Sequence, residues 1–159
     1  LKKFQKEWPI SRIKKMKLED YIDIGSNKTF CYWVEIETSS LGSIRGIPAD
    51  KFGIYKRGKK KHPNSKLFYS DSIYSWRRKF NKPRDEALRR IRSRIVDVAT
   101  LAQKAELGKI ELIDLHEFFK WKIAYLYSND TMCPFFSFSM AIGVESSMSM
   151  SMYFHSKTV

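Results

Sequence analysis

Residues 2 to 22 alternate apolar and basic positions at helical spacing, with Trp8-Pro9 as an interruption. Pro9 suits a first helical turn. Ile10, Ile13, Met16 and Leu18 form an apolar face, and Lys14, Lys15 and Lys17 line the other side. Lys17 to Tyr21 reads as a second short helix, closed by a turn at Gly25-Ser26-Asn27. Between residues 29 and 38 the period changes to two. Phe30, Tyr32, Val34 and Ile36 are set to point one way, and Cys31, Trp33, Glu35 and Glu37 the other. This predicts a strand, with further strands at Leu41 to Ile47, Phe52 to Tyr55 and Leu67 to Tyr74. Lys56 to Pro63 is a loop. Gly58 bends it, and Lys59, Lys60, Lys61 and His62 repel one another at its tip.

The clearest periodicity comes next. Leu88, Ile91, Ile95, Val98, Ala102 and Ala105 recur at steps of three and four, which predicts a helix over 83–107. Asn81 is its expected cap, Pro83, Asp85 and Glu86 suit its first turn, and Gly108 is its expected stop. Arg89 and Arg90 lie opposite the stripe, with Arg92 and Arg94 on its flanks. Leu112 to Phe119 is short and apolar. Trp121 to Tyr127 fits a strand by alternation and a helix equally well. Residues 129–159 are rich in serine and methionine and read as low-complexity sequence, either a closing hairpin around Gly143 or a foreign end. Together the elements predict an α+β fold. A small, mostly antiparallel sheet from residues 29 to 74 packs against the long amphipathic helix and the N-terminal helices, in a single domain over 1–128.

Composition narrows the partners more than the fold. The chain of 159 residues has 30 Lys and Arg against 17 Asp and Glu, a net charge of +13. Such an imbalance concerns solubility and association. Nucleic acid is the first polyanionic partner to consider and an acidic membrane surface the second. The charge is uneven, because after Lys122 only Asp130, Glu145 and Lys157 are charged. No apolar run is long enough to span a bilayer, and the start lacks the apolar core of a signal peptide. The chain opens on Leu1 and not Met, the pattern of a fragment or processed chain. Its two cysteines, Cys31 and Cys133, are far apart, which argues against a zinc site and fits a reducing, cytoplasmic setting.

Motifs for catalysis are weak. Gly25-Ser26-Asn27-Lys28-Thr29 mimics the end of a phosphate-binding loop but lacks the glycine directly before the lysine. Glu35 and Glu37 on one strand face suggest a metal-dependent nuclease, though neither begins a Glu-x-Lys. His62, His116 and His155 are scattered, and Cys31 has no sequence neighbour to activate it. The expectation is no cofactor, no resident metal and no enzyme activity. Binding has a better signal, since basic and aromatic residues interleave over 52–57 and 68–79. Lysine and arginine neutralise phosphates, and exposed rings stack on bases or hold an extruded one. The residues expected to bind nucleic acid are Lys56, Arg57, Lys59, Lys60, Lys61, Arg77 and Arg78, with Tyr55, Tyr74 and Trp76 as candidate stacking rings; Tyr69 is a further candidate ring.

Three blocks in order, "FCYWVEIETSSLGSIRGIPADKFGIYKR", "YSWRRKFNKPRDEALRRIRSRIVDVATLA" and "KWKIAYLYS", carry a resemblance. The chain resembles the N-terminal region of McrB-like AAA+ modification-dependent restriction ATPases, bacterial defence proteins. The likeness spans roughly residues 8 to 128. It departs from the family at Ile47, where a second glycine is usual, and after Ser128, where the family continues toward its ATPase core. The resemblance implies a detached DNA-recognition module of a restriction system, with modified DNA as a target and with AAA+ ATPase and nuclease components as partners. It transfers no base-reading residue. Two rival expectations remain, a nuclease using Glu35 and Glu37 and an assembly module docking its basic face on an acidic partner protein.

Overall fold

The structure, a computed structural model, describes residues 1–44, 46–58, 66–129 and 132. Three short helices open it: α1 (Lys2–Glu7), α2 (Ile10–Lys15) and α3 (Leu18–Tyr21). Pro9 sits just before α2 as its N-cap. Each helix buries one large side chain or two, namely Phe4, Ile13, and Leu18 with Tyr21. Helices this short are unstable alone, so packing of those residues holds them.

Residues 29–38 are helical, not extended. Thr29 caps α4 (Phe30–Tyr32), its hydroxyl accepting from the Tyr32 N–H at 3.3 Å, and the chain runs on through a π-turn at Trp33–Glu37. Phe30, Cys31 and Val34 are the residues it buries, a one-and-four spacing that an apolar alternation conceals. Phe30 is the reason the helix wins. Its ring lies 5.3 Å from Trp8 and 6.3 Å from both Tyr21 and Phe119, at the centre of an aromatic cluster. Edge-to-face contacts of this kind add to the burial of large rings. Residues 41–47 form no strand among those described, so the sheet begins later than the sequence pattern suggests.

After α5 (Pro48–Phe52) come β1 (Ile54–Lys56), β2 (Phe68–Ser70) and β3 (Tyr74–Arg77). They form an antiparallel sheet in the order β1-β3-β2, with Tyr55 opposite Ser75 and Ser70 also opposite Ser75. The register places Ile54, Tyr74, Trp76 and Tyr69 on the face turned to the helices. Tyr55, Phe68, Ser75 and Arg77 share the other face, where Phe68 and Ser75 are also buried. The fold is α+β, as predicted, with its strands between residues 54 and 77 instead of 29 and 74.

The long helix is α6 (Arg84–Gln103), capped by Pro83 and not by Asn81. It buries Leu88, Ile91, Ile95, Val98 and Ala102 as predicted, plus Ala87 and Ala99. It ends four residues early. Ala105 adopts φ 56° and lies outside, and Gly108 falls within α7 (Leu107–Glu111). Then α8 (Glu117–Tyr127) packs on α6 and buries its residues on all sides, Phe119 through Tyr127. This resolves the helix-or-strand ambiguity at Trp121–Tyr127. The surrounding elements cover every side of α8, so its sequence shows no single apolar stripe. The region predicted as tail lies outside the described residues except for Asn129 and Met132. No helix among the described residues is long and apolar enough to cross a membrane.

Candidate nucleic-acid interface

The cations expected to grip phosphate are mostly engaged. Lys56, at the end of edge strand β1, reaches the Asp23 carboxylate at 2.5 Å. That hydrogen bond holds the Asp23 carboxyl below its ordinary pKa and raises Lys56. Arg77 meets Asp50 of α5 at 2.9 Å and lies 5.3 Å over the Phe68 ring. Arg57 donates to the Asp71 carbonyl, and its own N–H donates to Ile73 at 2.8 Å. Arg78 stacks over Tyr69 at 4.3 Å. Lys59, Lys60 and Lys61 lie outside the described residues.

The expected stacking rings also need correction. Tyr74 and Trp76 are 6% and 5% exposed and belong to the core. Trp76 donates its indole N–H to the Asn81 carbonyl at 3.0 Å, which locks the ring inside. Their alternation in β3 points both at the helices, so neither can meet a base without unfolding. Tyr55 is half-buried on the sheet face opposite Trp76, edge-on to Phe68 at 6.2 Å, and burial raises its hydroxyl pKa. Tyr69 is half-buried, on the face turned to the helices and under Arg78.

Glu35 and Glu37 do not converge. A π-turn carries residues two apart to nearly opposite sides, and each glutamate has its own lysine. Glu35 pairs with Lys51, and Glu37 with Lys3 at 3.5 Å. Among the described residues no group of three or more His, Cys, Asp or Glu is placed to hold a metal ion.

A second basic surface was less conspicuous in the sequence. Lys2, Lys6, Lys14, Lys15 and Lys17 are exposed on the N-terminal helices, and none has a carboxylate within ion-pair distance among the described residues. Helix α2 packs against α6, and of these lysines Lys17 comes beside the arginines of the long helix. Arg92 Nη1 donates to the Met16 carbonyl at 2.9 Å and ties the two together. Between them runs an open groove of about 400 Å³ whose charged lining is Lys17, Arg84, Arg89 and Arg92 together with Glu19 and Asp85. Arg84 is held by Asp71 at 2.5 Å, and Arg89 forms a bidentate pair with Glu86 at 2.6 and 2.7 Å. That pairing pulls Glu86 down to about 2. The signal in the sequence was the run of lysines on the polar side of Ile10–Lys15. What it lacked was the knowledge that α6 lies alongside.

Comparison with known protein families, with curated proteins and with solved structures finds no match for this chain.

Proposed function

We propose that the chain is a DNA-binding module that grips the phosphate backbone through its N-terminal helices and the adjoining face of α6. One observation carries this reading. Lys17, without a carboxylate partner among the described residues, lines a single groove with Arg84, Arg89 and Arg92, and Lys14 and Lys15, likewise without one, are exposed on α2, which packs on the same helix α6. Cations grouped on one face attract a polyanion and release its counterions on binding. The paired cations of the sheet, Lys56 and Arg77, serve the fold more than the ligand. The likeness of the three sequence blocks to McrB-like restriction ATPases agrees with DNA as the polyanion and adds modified DNA as the form to test. Under this reading, translocation and cleavage belong to partner components of a cytoplasmic defence system.

Electrophoretic shift of methylated and unmethylated duplexes at several salt concentrations tests the reading. Affinity should fall linearly in log–log form, by about 0.9 log units per tenfold salt for each phosphate neutralised. Absence of any shift with either duplex at about 50 mM salt, a concentration that favours phosphate contacts, would refute it.

A further inference from the structure

Residues 35–43 cross the surface between two buried apolar anchors, Val34 and Ile44. Of these described residues only Thr38 is buried. Leu41 is partly buried against the core, and Ile36, Glu37, Ser39, Ser40 and Ser43 are exposed. The segment is built from the end of the π-turn and a short 3-10 turn, Ser39–Leu41, so its backbone bonds are local. The Thr38 N–H donates to the Trp33 carbonyl at 3.1 Å, the Leu41 N–H to Thr38 at 3.0 Å and the Gly42 N–H to Ser39 at 3.1 Å.

Two buried lysines from other elements fasten this strap to the body. Lys122 of α8 donates to the Thr38 carbonyl at 2.7 Å and to the Gly42 carbonyl. Lys51 of α5 pairs with Glu35 at one end and lies 3.4 Å from the Ile44 carbonyl at the other. The pair of Lys3 with Glu37 at 3.5 Å is exposed and adds little. Local opening costs least where few apolar contacts and mostly exposed backbone bonds hold the chain. An ammonium covered by the strap also regains water when the strap lifts, which offsets part of the lost hydrogen bonding. Gly42 and Gly46, at φ 110° and 122°, give the chain pivots that carry no Cβ penalty.

We propose that residues 35–43 form a strap that lifts as one unit from a folded body, with Lys122 as its latch. Glu35 and Ile36 also line a cleft of about 590 Å³ beside the 22–29 turn and the α5–β1 corner. Lifting the strap therefore takes away one wall of that cleft.

Amide hydrogen exchange of the intact protein, read by NMR across a series of low urea concentrations, tests this. The N–H groups of Thr38, Leu41 and Gly42 should share one protection factor to within about threefold, at least about 100-fold below that of Ile91, Ile95 and Val98 in α6. Urea should speed the strap amides much less than the α6 amides, because lifting exposes little surface. Ile95→Val should speed exchange in α6 about fivefold and leave the strap amides as they are. Lys122→Ala should speed both sets by about tenfold, since its contacts are missing from the lifted state and the unfolded state alike. Strap amides that follow α6 through Ile95→Val and through urea overturn the proposal, because the strap then opens only when the whole chain unfolds. Protection that differs widely among the three strap amides overturns it too, since they do not then lift together. Strap amides unmoved by Lys122→Ala overturn the latch. Where Lys122→Ala does not fold, the urea series and Ile95→Val still decide whether the strap lifts alone.

Discussion

The Lys51 ammonium, buried beneath the π-turn, donates to a Glu35 carboxylate whose side chain remains 29% exposed. The two charges therefore differ in what their partner's loss would do. Glu35→Leu strands an ammonium in the interior with only a long contact to the Ile44 carbonyl, and a stranded buried charge costs about 3 kcal/mol or more. Lys51→Met leaves a carboxylate that water already reaches, and should cost about 1 kcal/mol. Urea unfolding of the two single variants and the double variant measures this. Equal single-variant losses would show that the pair is not the asymmetric device described.

Gly53 follows α5 with φ 73°, in the left-handed region, where it turns the chain into β1. A Cβ there would sit 2.6 Å from Phe80 Cε2 and 3.1 Å from Ile91 Cδ1. Strain and overlap act together, so Gly53→Ala should lose about 2–4 kcal/mol. Thermal unfolding would register this as a fall of roughly 5–15 °C for a domain of this size. Gly25, also at positive φ but with open space around it, should lose only the backbone part, about 1 kcal/mol. A Gly53 variant no worse than the Gly25 variant would contradict the packing described.

How far these relationships can be read in the sequence depends on how local they are. The stripe of α6 is legible because each of its turns returns an apolar residue to the same side, from Leu88 to Ala102. The stretch from Phe30 to Glu37 is not, because alternating large residues suit a strand until Trp8, Tyr21 and Phe119 arrive to surround Phe30. The basic site shows the same limit. Lys56 and its Asp23 are 33 residues apart, and Arg77 and Asp50 are 27 apart, so counting charges along the chain overstated those cations. Lys14 and Lys15 were visible as a polar helix face, but only the structure shows that the chain just after them, at Met16, is tied to Arg92 of α6.

The buried Lys122 gives a pH prediction. Its ammonium donates to the Thr38 carbonyl at 2.7 Å and to the Gly42 carbonyl, and burial lowers its pKa to about 8. Between pH 8 and 10.5 the unfolded chain then binds a proton that the folded chain has released. Stability from this group rises with pH across that window, by roughly 3 kcal/mol at most. Cys31 opposes it, since burial raises its thiol and the unfolded state alone ionises above about pH 8.5. Tyr21 acts in the same direction as Cys31 above about pH 10. In a Cys31→Ala background, urea midpoints should therefore rise from pH 8 to 10 and fall beyond. Adding Lys122→Met should remove the rise. A flat profile in the Cys31→Ala protein would mean that Lys122 is not desolvated as the structure has it.

The phosphate-binding assignment can be dissected by charge. Each lysine that touches a phosphate contributes about 0.9 to the log–log salt slope of binding. Lys14→Ala, Lys15→Ala and Lys17→Ala should therefore each lower the slope by up to that amount, and the triple variant should bind duplex only at low salt. Arg77→Ala and Lys56→Ala uncover the carboxylates of Asp50 and Asp23, so they weaken binding somewhat through local charge. They should nevertheless change the slope by less than about half a unit, because no phosphate contact is lost. Lys14 and Lys15 lie exposed on α2 and Lys17 exposed just before α3, so folding can be confirmed by circular dichroism before binding is read. Slope changes at Arg77 and Lys56, with none at the three lysines, would move the interface to the sheet and return the sequence-based assignment to favour.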